Sequence, residues 1–201
     1  MARIVKDPEE RKSELIDAAE RLFTKKGYED TTVSDIVLEI KVGQGTFYHY
    51  FRSKEDVLEA VAEMMIAPLA EEIRNISQSE GDPQEKINAI LNIILKANSS
   101  EMDIMKLMPH KGNYLLHQKV EKAFRTQILP IAYEVVAKGS ADGFFHAEYP
   151  EESFEFLLAS ALYHSYHFPW GSDRQEVMRV ALEMIASRVL GAEDYRFHLE
   201  M

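Results

Sequence analysis

Between Val42 and Glu55 the chain reads VGQGTFYHYFRSKE, fourteen residues dense in side chains that end in hydrogen-bonding groups. A helix that reads a DNA duplex needs polar ends facing base edges and phosphates, and an apolar face to pack on its own domain. Phe47 and Phe51, four residues apart, supply the inward face and leave Gln44, Thr46, Tyr48, His49 and Tyr50 for the outside. Glutamine pairs bidentately with adenine, threonine meets a thymine methyl, and tyrosine hydroxyls suit phosphate oxygens. Gly45 removes a side chain where a duplex must come close. Lys54 starts the next helix, so its charge adds to the positive end of that helix for a phosphate. Tyr48 and Tyr50 have a second reading, as covers for the apolar edge of a small domain.

Local helix signals place this stretch. Asp7, Pro8 and Glu10 have the spacing of a helix start. Leu15, Ala18, Ala19, Leu22 and Phe23 then form one stripe that ends at Lys25-Lys26-Gly27. Thr32 with Asp35 opens a second helix whose apolar face is Ile36, Val37 and Ile40. A tight break at Lys41-Val42-Gly43 leads into a brief helix from Gln44 to Tyr50, and Ser53 with Asp56 opens a fourth. Three short helices in roughly fifty residues, with a tight turn between the second and third, make a helix-turn-helix layout. Further on, Asp82-Pro83 opens a helix to about Ala97, and one long helix is expected from Asn113 to Lys138, bent at Pro130. Pro150 and Ser172 start the last two. The fold class expected is all-α.

The residues TVSDI from Thr32 to Ile36, followed by VGQGTFYHYFRSKEDVL, resemble the DNA-binding domain of the TetR family of bacterial transcriptional regulators. The close match runs from about Leu15 to Leu58. The resemblance implies that Gln44, Thr46, Tyr48, His49 and Tyr50 meet double-stranded DNA, with Thr32, Ser34 and Lys54 on phosphates. It also implies a helix-turn-helix domain over residues 1–53, and a ligand-binding and dimerisation domain over 54–201. Two positions depart from the family pattern. Its Ala-Gly pair before the valine is Ile40-Lys41 here, so Lys41 must take the turn without glycine's freedom, and its serine cap is Gly43.

Composition fits and excludes. The 201 residues carry a net charge of −11, but residues 1–55 hold ten Lys/Arg against eleven Asp/Glu, so the acidity lies almost wholly beyond them. Local charge is what a phosphate backbone meets within a Debye length of about 10 Å. No cysteine is present, which removes disulfides and thiolate chemistry. No Gly-x-Ser-x-Gly elbow, His-Glu-x-x-His pair or phosphate-binding glycine loop occurs, so an enzyme is not expected. The N-terminus lacks a signal peptide's apolar stretch, and the longest uncharged run, 156–172, is interrupted by His164, His167, Pro169 and Gly171. The expectation is a cytoplasmic protein with no membrane segment.

Beyond residue 55 the sequence is less specific. Leu157, Leu158, Ala161 and Leu162, with Val177, Ala181, Leu182, Ile185 and Val189, suit either a core or a homodimer interface through the last two helices. A dimer would set two recognition helices about 34 Å apart on a palindromic operator. Met102 and Met105 suit a core or an adaptable pocket. Phe124, Tyr133, Tyr163, His164, His167 and Trp170 lie on helices that the family arranges around a small-molecule effector. Two histidines three residues apart are weak grounds for a metal, and neither metal nor cofactor is expected. The reading is a ligand-responsive transcriptional regulator, most simply a repressor released from its operator by a small organic molecule. The alternative is a helical protein-interaction module that no longer reads DNA.

Overall fold

In the computed structural model, residues 7–97, 113–167 and 173–200 are described, and every regular element among them is a helix. We number them α1 (Pro8–Lys26), α2 (Val33–Glu39), α3 (Gln44–Tyr50), α4 (Lys54–Gln78), α5 (Pro83–Ala97), α6 (Tyr114–Gln127), α7 (Leu129–Ala141), α8 (Pro150–His167) and α9 (Asp173–Val189). None of these helices is long and apolar enough to cross a membrane. The chain is all-α, with an N-terminal helix-turn-helix domain and a larger C-terminal helical domain. By packing, the described residues form two units: 7–67 with 113–123, and 68–97 with 124–167 and 173–200.

The first unit begins with the caps its sequence encodes. The Asp7 carboxylate accepts from the Glu9 N–H at 2.9 Å with Pro8 at the first helical position. Thr32 and Asp35 form a reciprocal capping box on α2. Where α2 ends, Lys41 sits at φ 57°, the only non-glycine with positive φ among the described residues. The Val42 N–H bonds to the Val37 carbonyl and the Lys41 N–H to that of Leu38, a Schellman ending with lysine where glycine is usual. The left-handed conformation costs an L-residue about 1–2 kcal/mol. That ending turns the chain directly into α3. Leu15, Phe23, Ile36, Phe47, Phe51, Val57 and Leu58 close the core beneath, together with Leu116 from α6.

In the second unit α5 packs on α7 and α8, and α8 on α7 and α9. The continuous helix expected from Asn113 to Lys138 is instead two helices, broken at Ile128. Pro130 lies in the first turn of α7, where its missing N–H costs nothing, so the proline restarts a helix rather than bending one. Gly139 is the contact point for the following loop: a Cβ there would fall 2.4 Å from the Phe145 ring. The segment after α9 folds back, burying Phe197 and Leu199. Asn88 accepts from the His198 N–H at 2.7 Å, and Asn92 brackets that residue by bonding the His198 carbonyl and the Glu200 N–H.

Candidate nucleic-acid interface

Helix α3 is pinned from below by Phe47, which is fully buried, and by Phe51 one turn later. The rings lie 5.6 Å apart, and this contact fixes which face turns outward. Gln44, Tyr48 and His49 are exposed on that face, while Thr46 and Tyr50 are half-buried. Tyr48 is 57% exposed, with its ring edge-on to Phe47 at 5.4 Å. Tyr50 packs against the apolar core and stacks edge-on with His49 at 4.9 Å, so it covers the domain's edge as well as bordering the face.

Gly43, which caps α3, and Gly45 within it carry information through their surroundings. A Cβ built on Gly43 or Gly45 meets nothing within 4 Å. Gly43 has an ordinary extended φ of −83°, and Gly45 lies in the helix. Neither backbone conformation nor internal packing demands glycine at 45, a position where alanine would favour the helix. Gly45 is exposed and lies one turn before the exposed His49.

The remaining residues expected at DNA divide by what they already hold. Ser34 and Gln44 meet: the Gln44 Nε2 donates to the Ser34 Oγ at 2.8 Å, linking the start of α2 to the start of α3. Thr32 is exposed, but its hydroxyl donates to Asp35 and accepts from the Asp35 N–H. Asp35 also receives the Lys26 ammonium at 2.7 Å. That bond, then those from the Thr32 side chain and backbone, hold its carboxyl well below the usual carboxylate range.

Lys54 turns inward. Its Nζ donates to the carbonyls of Tyr28 at 2.8 Å, Thr31 at 2.8 Å and Glu29 at 3.3 Å, and lies 4.1 Å from the centroid of the Tyr28 ring. An ammonium has three protons, and all three are directed at the loop between α1 and α2. Burial pushes Lys54 below the usual lysine value. In this geometry the side chain clamps that loop instead of reaching toward a phosphate.

A second clamp was not read from the sequence. Asn113, just before α6, is buried; its Oδ1 accepts from the Tyr28 N–H at 3.0 Å and its Nδ2 donates to the Phe23 carbonyl at 3.3 Å. Along α6, Lys119 pairs with Glu55 at 2.8 Å and Lys122 pairs with Glu59, which ties the helix to α4.

Residues 15–61 match the sequence profile described as bacterial regulatory proteins, tetR family. The N-terminal domain is that of the TetR family. The chain is 25% identical over 155 residues to the HTH-type transcriptional repressor KstR2 of Rhodococcus jostii, covering 75% of this chain and 76% of that one. Matches to HTH-type regulators of Bacillus subtilis and Aromatoleum span only 27% to 39% of those proteins' length. A solved TetR/AcrR-family regulator from Thermobifida fusca superposes with a TM-score of 0.58 at 26% identity, over 90% of this chain and 97% of the other. FadR of Bacillus subtilis, solved in complex with stearoyl-CoA, shares the fold with a TM-score of 0.60 at 19% identity, over 89% and 95% of the two chains.

The described residues expected around an effector are spread across the second unit. Tyr133 is half-buried, its ring edge-on to Phe154 at 6.5 Å, and its hydroxyl donates to Glu155 Oε2 at 2.9 Å. Burial, then that bond, push its hydroxyl up to about 12. Arg125 reaches the same carboxylate at 3.5 Å. Neither Arg125 nor Glu155 was picked from the sequence, because nothing in their spacing links them to Tyr133. Phe124 is half-buried, whereas Tyr163 is 64% exposed. Met102, Met105 and Trp170 lie outside the described residues, as do the side chains of His164 and His167. Two cavities in this unit, of about 180 and 750 Å³, are lined by other residues.

The apolar stripes of α8 and α9 resolve into two sets. Leu157, Leu158, Ala161 and Leu182 are buried within the chain, while Phe156 (75%), Val177 (67%) and Met184 (52%) are left exposed, alongside Val180 and Ile185.

Proposed function

We propose that this chain is a cytoplasmic, homodimeric TetR-family repressor that binds a palindromic operator through α3 and releases it when a small organic effector binds. DNA contacts would come from residues 1–53, and effector and partner-subunit contacts from 54–201. The observation that carries the reading is the outer face of α3, where Gln44, Tyr48 and His49 are exposed around a glycine that nothing inside the chain requires. The exposed apolar residues of α8 and α9 favour a second copy as their cover. The repressor named among the relatives favours repression. The half-buried Tyr133 with Phe124 favours an effector with apolar bulk and one polar end. Thr32 acts through the cap of α2, and Lys54 by holding the α1–α2 loop at the height the duplex needs.

The test is titration of duplexes from upstream of its own gene and of genomic fragments, across a salt series, with the purified chain and a Tyr48→Ala, His49→Ala variant. Selective binding that weakens with salt and is lost in the variant supports the reading. Equal binding of all sequences by the wild type would sink it in favour of a protein-interaction module.

A further inference from the structure

We infer that Ser34 is a positioning residue that decides which base Gln44 reads, an inference that rests on the DNA-reading function proposed above. A glutamine side chain ends in an acceptor oxygen and an NH₂ with two donor protons, and rotation of the terminal amide lets it lead with either. In this chain the Gln44 Nε2 spends one proton on the Ser34 Oγ at 2.8 Å. Oε1 and a single N–H remain for other partners, one acceptor beside one donor. That pattern complements the major-groove edge of adenine, whose N6 amine donates and whose N7 accepts. It opposes guanine, whose O6 and N7 both accept, because Oε1 would then face O6, lone pair against lone pair. Cytosine offers only its N4 amine, enough for one bond.

The tether is built by the fold rather than by neighbouring sequence. Ser34 and Gln44 are ten residues apart, and the left-handed Lys41 ending of α2 brings the first turns of α2 and α3 together. Both residues are exposed, so no buried group dictates the amide's orientation. In water such a bond biases the amide only about two- to tenfold. Covering by a duplex removes the competing water and strengthens it. A serine whose hydroxyl holds the glutamine acts on sequence choice, whereas a serine on a phosphate acts on affinity for every sequence alike.

The experiment selects sites for the full-length wild type from a randomised duplex pool. It then titrates paired duplexes that differ only by adenine or guanine at the position lost in Gln44→Ala. The wild type is expected to prefer adenine by about tenfold or more. Ser34→Ala is expected to bind the adenine site within about threefold of wild type but to let the preference fall to about threefold or less, since the freed NH₂ can then donate to guanine. Ser34→Thr keeps a hydroxyl and should restore the preference. Ser34→Ala with an intact preference overturns the inference. So does uniformly weaker binding with a shallower salt dependence, which marks a phosphate contact. A wild type that enriches no sequence instead overturns the DNA-reading proposal itself, and the inference with it.

Discussion

Replacing Gly45 with alanine should make the protein more stable and a poorer DNA binder. Gly45 is the second residue of α3, and a Cβ placed on it meets no atom within 4 Å. Within the chain the substitution therefore adds helix propensity and removes glycine's excess freedom from the unfolded state. Mid-helix that exchange contributes about 0.5–1 kcal/mol, and in the first turn the lower end applies. For a unit of this size, about 0.5 kcal/mol raises Tm by about 2–4 °C. If α3 meets DNA as proposed, the methyl group would occupy space that the duplex needs. Losing one good base-pair contact costs about 1–3 kcal/mol, roughly five- to 150-fold in affinity. Thermal melts by circular dichroism and operator titration at one fixed salt concentration read both quantities from one preparation. Operator affinity equal to wild type would refute the close-approach argument. A lowered Tm would show that glycine is needed by the fold after all.

Other substitutions probe the supports. Asn113→Ala leaves the buried Tyr28 N–H without its acceptor and should lower the stability of the first unit by about 1–3 kcal/mol in denaturant titration. Asp35 has a folded-state pKa held below its unfolded value of about 3.9, so its stabilisation is present above that pH and lost as pH falls through the lower folded value. The Tm gap between wild type and Asp35→Asn, largest near neutral pH, should therefore close below about pH 4. Lys54→Met should destabilise the α1–α2 loop enough to appear in hydrogen exchange at Thr31 and Thr32. Met184→Glu, at an exposed site, should leave the monomer folded but shift sedimentation from dimer to monomer.

What could be read from sequence was local. The Thr32–Asp35 capping box, the Phe47–Phe51 spacing and the strained Lys41 all depend on residues within a few positions of one another, and such rules are short-ranged. The rest depends on separation. Asn113 finds its partners 85 and 90 residues back, and the return of the chain beyond α9 onto Asn88 and Asn92 spans more than 100. No periodicity reports such pairings. Charge, a place at the start of α4 and the family resemblance assigned Lys54 to phosphates, but the loop carbonyls are nearer and turn its ammonium inward. The stripes on α8 and α9 were visible as apolar. Phe156 and Met184 were not singled out, because these helices are apolar on more than one side and sequence cannot say which side faces out.

The placement of Asn113 and Leu116 in the first unit has a consequence for synthesis. Residues up to 67 leave the ribosome first, yet the core they belong to lacks its last pieces until the segment reaching residue 123 has been made. At roughly 5–20 residues per second, that delay is about 3–11 s. During it the nascent helix-turn-helix has a notch in its core where Leu116 belongs and an unanswered N–H at Tyr28. A fragment ending at residue 67 would keep that notch permanently. The first unit would then complete its fold only after much of the chain downstream of residue 67 has been made.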